Sequence, residues 1–191
     1  MLETAIVILA GGKATRFPGK LERRIDGEPM LLRVYRNARA TSWPVYVAAR
    51  GSFDREIDER LDCPVLVDPR RDSGPLEAFV AACAEIQARR VIAWAGDAPL
   101  VDRTVFDALL EAWRPGDEAV VPRHGERIEP LAAVYERSTV LRQAFTVLRE
   151  GNGAMHSLID RLHARFVDLP ERYFLNVNTP ADLAALTGSH A

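Results

Sequence analysis

Cysteine is nearly absent: 191 residues contain only Cys63 and Cys83, with no CxxC pair and no His–Cys spacing. That scarcity argues against a disulfide framework or a structural zinc site and reads both thiols as small buried residues. Long apolar runs are missing too, since none approaches the roughly 20 residues a membrane span needs. Charge of one sign is not in excess: 25 Lys and Arg face 27 Asp and Glu, a formal net charge of −2. Neither nucleic acid nor a membrane surface is an expected partner of such a chain. No repeat, low-complexity tract or linker interrupts it, and its first residues enter a strand pattern without a signal-peptide cleavage region. The expectation is one soluble, cytoplasmic domain covering 1–191, large enough to bury a core without staples.

What the chain does have is a phosphate-holding loop. The apolar run 5–9 ends in Ala10-Gly11-Gly12, followed by Arg16 and then Gly19-Lys20. Paired glycines at a strand end leave backbone N–H groups open to an anion, and Arg16 and Lys20 bring positive charge to the same loop. This is not a P-loop, because Ala14 and Leu21 stand where that motif needs glycine and Ser or Thr. Nor is it a dinucleotide fingerprint, whose glycines alternate rather than adjoin. The plain alternative is an ordinary βα turn carrying exposed basic residues.

Apolar strands alternate with amphipathic helices along the rest of the chain. Strands are predicted over 5–9, 45–49, 65–67, 91–95, 119–121, 131–135 and 166–168. Helices are predicted over 31–40, 53–61, 76–89, 105–113, 140–149, 155–162 and 180–186, the last with Thr179 as N-cap and Pro180 at N1. The pattern predicts an α/β protein of three layers, α/β/α, around a mostly parallel, Rossmann-like sheet. Ligands of such a sheet sit beyond the carboxyl ends of the strands. The Gly-Gly loop, Asp68, Gly74-Pro75-Leu76 and Gly96-Asp97-Ala98-Pro99 all follow predicted strands. Asp97, delivered to the rim by the run 91–95, can hold Mg²⁺, which takes one or two carboxylates and keeps substrate oxygens for the rest. Its plain reading is a turn aspartate.

At these residues the chain resembles a known family. Leu9-Ala10-Gly11-Gly12, Arg16, Gly19-Lys20 and 27–31 resemble the MobA-like nucleotidyltransferases. Gly74-Pro75-Leu76, Gly96-Asp97-Ala98-Pro99, Glu129-Pro130-Leu131 with Tyr135, and Asn176-Val177-Asn178-Thr179-Pro180 recur in the family's order over nearly the whole length. The resemblance, greatest to the guanylyl-transferring branch, implies a nucleotidyltransferase fold and transfer of GMP from GTP to a molybdopterin-type molybdenum cofactor, with release of pyrophosphate. It implies that Leu9, Ala10, Gly11 and Gly12 line the nucleotide and that Arg16 and Lys20 hold the triphosphate. Asp68 is implied in nucleotide contact, and Asp97 in Mg²⁺ binding and catalysis. Gly74, Pro75 and Leu76 would shape the base pocket, and Glu129, Pro130, Asn176 and Asn178 the acceptor site. It also implies transient contact with cofactor-synthesis proteins or molybdoenzymes, although no stretch of sequence marks such a surface.

Two positions depart from the family pattern. Gly19 stands where relatives often have Asp, and Ala49-Arg50 where many have an asparagine near the base. The alternatives left open are CTP or another nucleotide, a sugar or alcohol phosphate acceptor, and a nucleotide-binding regulatory module without turnover. Arg23, Arg24, Arg123 and Arg127 read as solvated charges or as an anion-binding rim. Trp43, Trp94 and Trp113 read as packing residues. None of His124, His156, His163 and His190 has a convincing partner in the sequence; His124, in the loop before Glu129, is the one set near the second substrate. Arg70-Arg71-Asp72 is expected to cover the nucleotide as a lid.

Overall fold

The structure is a computed structural model that describes residues 2–11, 17–67 and 74–187. Among them an eight-stranded sheet runs in the order β10-β7-β9-β6-β1-β4-β5, with β8 paired to β7. The strands are β1 (Leu2–Leu9), β4 (Val45–Ala49), β5 (Val65–Val67), β6 (Ala88–Ala95), β7 (Ala119–His124), β8 (Arg127–Ile128), β9 (Ala132–Glu136) and β10 (Ala164–Asp168). A separate ribbon pairs β2 (Arg24–Ile25) with β3 (Glu28–Pro29).

β1 lies inside the sheet, between β6 and β4, and is buried on both faces over residues 5–9. Ala5, Val7 and Leu9 enter one core, while Ile6 and Ile8 enter the other. Period-two alternation with no polar residue on either side forces helices over both faces. One face carries α3 (Pro75–Glu85), α5 (Arg137–Arg149) and α6 (Met155–Ile159); the other carries α1 (Met30–Arg39), α2 (Arg55–Arg60) and α4 (Arg103–Ala112). A third cluster of Phe17, Ile25, Met30 and Val177 is backed by Leu183 and Leu186 of α7 (Pro180–Thr187).

β4, β6 and β1 pair in parallel, as do β4 with β5 and β7 with β10. β9 runs antiparallel to both β6 and β7. The α/β/α layering and the mostly parallel sheet therefore stand. The helix expected over 76–89 ends at Glu85, because Ile86 and Ala88 are buried while Gln87 and Arg89 face solvent. That alternation of two belongs to the strand that follows. Cys83 is buried as expected, whereas Cys63 is only half-buried beside Tyr35. No helix among the described residues is long and apolar enough to cross a membrane.

Candidate active site

The site lies at the carboxyl ends of β1 and β6, where two loops pass so closely that side chains are excluded. Gly96 donates its N–H to the Leu9 carbonyl at 3.1 Å. A Cβ on Gly96 would stand 3.2 Å from that same oxygen and 3.4 Å from the Ala10 Cα. The glycine thus lets the Asp97 turn dock on the end of β1. Ala10 donates to the Ala48 carbonyl at 2.8 Å, which fixes the exit of β1 against β4.

Asp97 meets Lys20 across this edge: the Lys20 ammonium donates to Asp97 Oδ2 and, at 3.1 Å, to Asn178 Oδ1. Lys20 opens a short 3₁₀ turn whose preceding residue, Gly19, has φ of +65°, a left-handed conformation that glycine adopts without strain. Asn178 arrives from the far end of the chain. The Val177 N–H binds the Asp97 carbonyl at 3.0 Å, and the Val177 side chain is fully buried in the third core cluster. Around that anchor, Asn176 and Asn178 both border the same cavity. Asp182 and Thr179 cap α7 reciprocally, with Asp182 Oδ2 accepting from the Asn178 and Thr179 N–H groups and Thr179 Oγ1 accepting from the Asp182 N–H. Those backbone donors hold the Asp182 carboxyl below its ordinary pKa.

Two cavities flank the Lys20–Asp97 pair. The first, of about 380 Å³, is bordered by Leu9, Ala10, Gly11, Gly19, Lys20 and Phe53, among others. The second, of about 360 Å³, is bordered by Glu129, Pro130, Met155, Phe174, Asn176 and Asn178, among others. Pro75, Ala95, Asp97 and Leu131 border both. Of the residues expected at the nucleotide, Leu9, Ala10, Gly11, Lys20 and Pro75 border the first cavity; Glu129, Pro130, Asn176 and Asn178, expected at the acceptor, border the second.

Gly12, Arg16, Asp68 and the stretch Arg70-Arg71-Asp72 lie outside the described residues. Leu76 is fully buried in the core; only its neighbour Pro75 borders the cavities. Gly74 serves as a close contact, since a Cβ there would stand 2.8 Å from the Gly153 carbonyl oxygen. Glu77 Oε2 accepts from the Gly74 N–H at 2.9 Å and caps α3. Arg123 forks onto Asp168 at 2.8 and 3.0 Å, and Arg24 pairs with Glu56, so both are engaged away from the cavities.

The histidines need correction. His124 does have a partner: Glu129 Oε1 accepts from its Nε2 at 2.8 Å, and its ring stacks on Phe174 with centroids 5.5 Å apart. His156 is exposed, as expected, and also borders the second cavity. The hairpin joining β7 to β8, which brings residues 124 and 129 together, was the missing signal; Gly125, at φ +58°, turns it. The tryptophans pack as expected where they are buried: Trp94 lies 4.7 Å from the Phe106 ring.

A Lys–Asp pair at the strand ends between two adjoining cavities is an arrangement that a nucleotidyltransferase requires. The profile of the MobA-like NTP transferase domain matches residues 6–166. The chain belongs to that family. It is 32% identical to a probable molybdenum cofactor guanylyltransferase of Mycobacterium avium, over 100% of this chain and 98% of that one. A relative of the same name from Aquifex aeolicus is 30% identical over 92% of this chain and 86% of its own length. The crystal structure of molybdopterin-guanine dinucleotide biosynthesis protein A from Archaeoglobus fulgidus superposes with a TM-score of 0.80. That alignment covers 96% of this chain and 97% of that one at 22% identity, which speaks for the fold.

Proposed function

We propose that this protein transfers GMP from GTP to the phosphate of a molybdopterin-type cofactor and releases pyrophosphate. The observation that carries the reading is the meeting of two ligand-sized cavities at Lys20 and Asp97. A bimolecular transfer needs both reactants held side by side with charge stabilisation at the junction. The names of the curated relatives support guanine as the base and the molybdenum cofactor as the acceptor.

In this reading the backbone of Leu9, Ala10 and Gly11, continued by Gly12, lines the nucleotide, with Pro75 as the wall toward the acceptor. Lys20, joined by Arg16, holds the triphosphate, and Asp68 contacts the nucleotide. The acceptor occupies the cavity of Glu129, Pro130, Asn176 and Asn178. An acceptor phosphate oxygen attacks the α-phosphorus in line. The new O–P bond forms as the bond to the bridging oxygen breaks, and pyrophosphate leaves with that electron pair. Phosphate is already ionised, so positioning and electrostatic stabilisation dominate and no side chain has to take a proton.

Mg²⁺ fits the residues present. Among the described residues no group of three or more His, Cys, Asp or Glu could cage a metal alone, and Asp97 is the carboxylate bordering both cavities. One such ligand suits Mg²⁺, which completes its shell with water and phosphate oxygens. Bound there, the cation supplies positive charge that offsets the charge of the leaving pyrophosphate. In the free protein Lys20 neutralises Asp97, and the ammonium passes from the carboxylate to the triphosphate when GTP enters. Residues 1–191 act in this reading as one cytoplasmic catalytic domain, in transient contact with cofactor-synthesis proteins or molybdoenzymes.

The test is pyrophosphate release with purified acceptor and a panel of nucleotides. GTP-dependent release is the expected result. Equal turnover with CTP would overturn the guanine assignment, and no release with any acceptor phosphate would overturn the transferase reading.

A further inference from the structure

We infer that His124 is a positioning residue for the acceptor: it fixes Glu129 as a hydrogen-bond acceptor on the wall of the acceptor cavity, where a pterin-type ring presents its N–H and amino edge. The inference rests on the transfer reaction proposed above. His124 ends β7 opposite Arg127 and Glu129 follows β8 opposite Pro122, so the hairpin makes them diagonal neighbours on one face. The His124 side chain is 11% exposed and that of Glu129 22%. A carboxylate only accepts, so the 2.8 Å contact makes Nε2 the protonated nitrogen. The ring cannot swing away, because it lies 13° from parallel with Phe174, which is itself buried and borders the acceptor cavity. The bond engages one of the two Glu129 oxygens and leaves the carboxylate further acceptor capacity, and the residue borders the cavity.

Glu129 puts a carboxylate on the wall of this cavity, which suits clustered N–H donors and repels a phosphate. A fused pyrimidinone with a 2-amino group has such a donor edge. Locking the carboxylate in advance removes the cost of ordering it when the ring arrives.

The experiment uses three variants and two readouts. His124→Phe keeps a ring on Phe174 and loses the donor, His124→Gln keeps a donor and loses the ring, and His124→Ala loses both. Melting by circular dichroism establishes that each folds. In steady-state assays, loss of the bond to a charged group raises the acceptor KM about tenfold in the Phe and Ala variants, leaving the GTP KM in place. Gln recovers most of the affinity. Recovery by Phe and not Gln would mean that His124 only packs, and would overturn the inference. Independently of turnover, quenching of 6-hydroxymethylpterin fluorescence reports ring binding without GTP: weaker binding in Phe and Ala than in wild type and Gln is expected. Equal affinity in all four proteins, or no binding by wild type, would overturn the inference. Absence of pyrophosphate release from wild type would instead sink the transfer reaction, and the fluorescence titration still decides the role of His124.

Discussion

Replacing Asp97 with Asn should tighten GTP binding when metal is chelated, although the proposed mechanism needs the residue for turnover. In the free protein the Lys20 ammonium is shared between Asp97 and Asn178. The two charged side chains are 18% and 20% exposed, so water screens part of their attraction. The pair is then worth about 1 kcal/mol, closer to a surface pair than to a dry one. Lys20 must give up that interaction to meet a triphosphate. The isosteric amide removes the competitor, and 1 kcal/mol corresponds to about fivefold in Kd. Deleting a negative charge beside an anionic ligand acts in the same direction. Calorimetric titration of GTP into both proteins in EDTA reads this directly. Repeated in Mg²⁺, it should show a gain in affinity for wild type that the variant lacks, and turnover of the variant should fall about 10²-fold or more. If Asp97→Asn bound metal-free GTP more weakly than wild type, the carboxylate would not compete with phosphate for Lys20. An undiminished response to Mg²⁺ would remove it as the metal ligand.

Lys20→Ala should lower kcat about 10²- to 10³-fold, as removal of a preorganised donor does; a change confined to the KM for GTP would reassign Lys20 to ground-state holding. Gly74→Ala should destabilise by about 1–3 kcal/mol, because its Cβ would stand 2.8 Å from a backbone oxygen that cannot rotate away. Gly153→Ala, whose Cβ would meet Gly74 Cα at 3.6 Å, should cost under about 0.5 kcal/mol; equal urea midpoints for the two would refute the contact argument. Burial raises the Asp117 pKa, but hydrogen bonds from Arg165, at 2.7 and 3.1 Å, and from the Arg114 N–H outweigh it and hold the carboxyl below its ordinary value. The stabilisation is complete above the unfolded-state pKa of about 3.9 and is lost as pH falls through the lower folded-state value. Asp117→Asn should therefore cost about 2 kcal/mol at pH 7 and progressively less below pH 4; a urea midpoint difference independent of pH would refute the linkage.

The strand–helix order was readable because burial dictates composition. β1, β4 and β6 are apolar on both faces, and their helices carry one apolar stripe each. That Lys20 and Asp97 share one edge was readable because both follow apolar strands, whereas Asn176 and Asn178 came only through the family resemblance. What was not readable depends on pairing. The β2–β3 ribbon is two residues on each strand, too short for any period. The direction of β9 is invisible in Ala132–Glu136, since alternating burial is the same in either orientation. Leu76 looked like pocket lining beside Pro75, but the α3 helix turns its side chain into the core. His124 looked isolated because its partner lies five residues on, across a hairpin whose second strand has only Arg127–Ile128.

The reversal of β9 is what makes the second cavity possible. In the parallel part of the sheet, only segments that follow a strand reach the ligand edge. Glu129-Pro130-Leu131 precedes a strand and would lie at the opposite edge if β9 were parallel. Because β9 runs against β6, pairing Ala132 with Trp94 and Glu136 with Arg90, its entry stands beside the exit of β6, where Asp97 begins its turn. The Ala95 N–H binds the Leu131 carbonyl at 2.8 Å and locks the two loops together. Tyr135, buried within β9, sends its hydroxyl back to the Pro130 carbonyl at 2.7 Å and fixes the entry from below. Burial drives the Tyr135 pKa well above the ordinary phenol value, so this hydroxyl keeps its proton and serves only as that brace. Tyr135→Phe removes the brace while keeping the ring on Phe79, 5.1 Å away, and leaves the Pro130 carbonyl without its donor. The expected outcome is a loss of about 1 kcal/mol of stability with a raised acceptor KM and an unchanged GTP KM. A matching rise in the GTP KM would show that the β9 entry supports both cavities rather than the acceptor side alone.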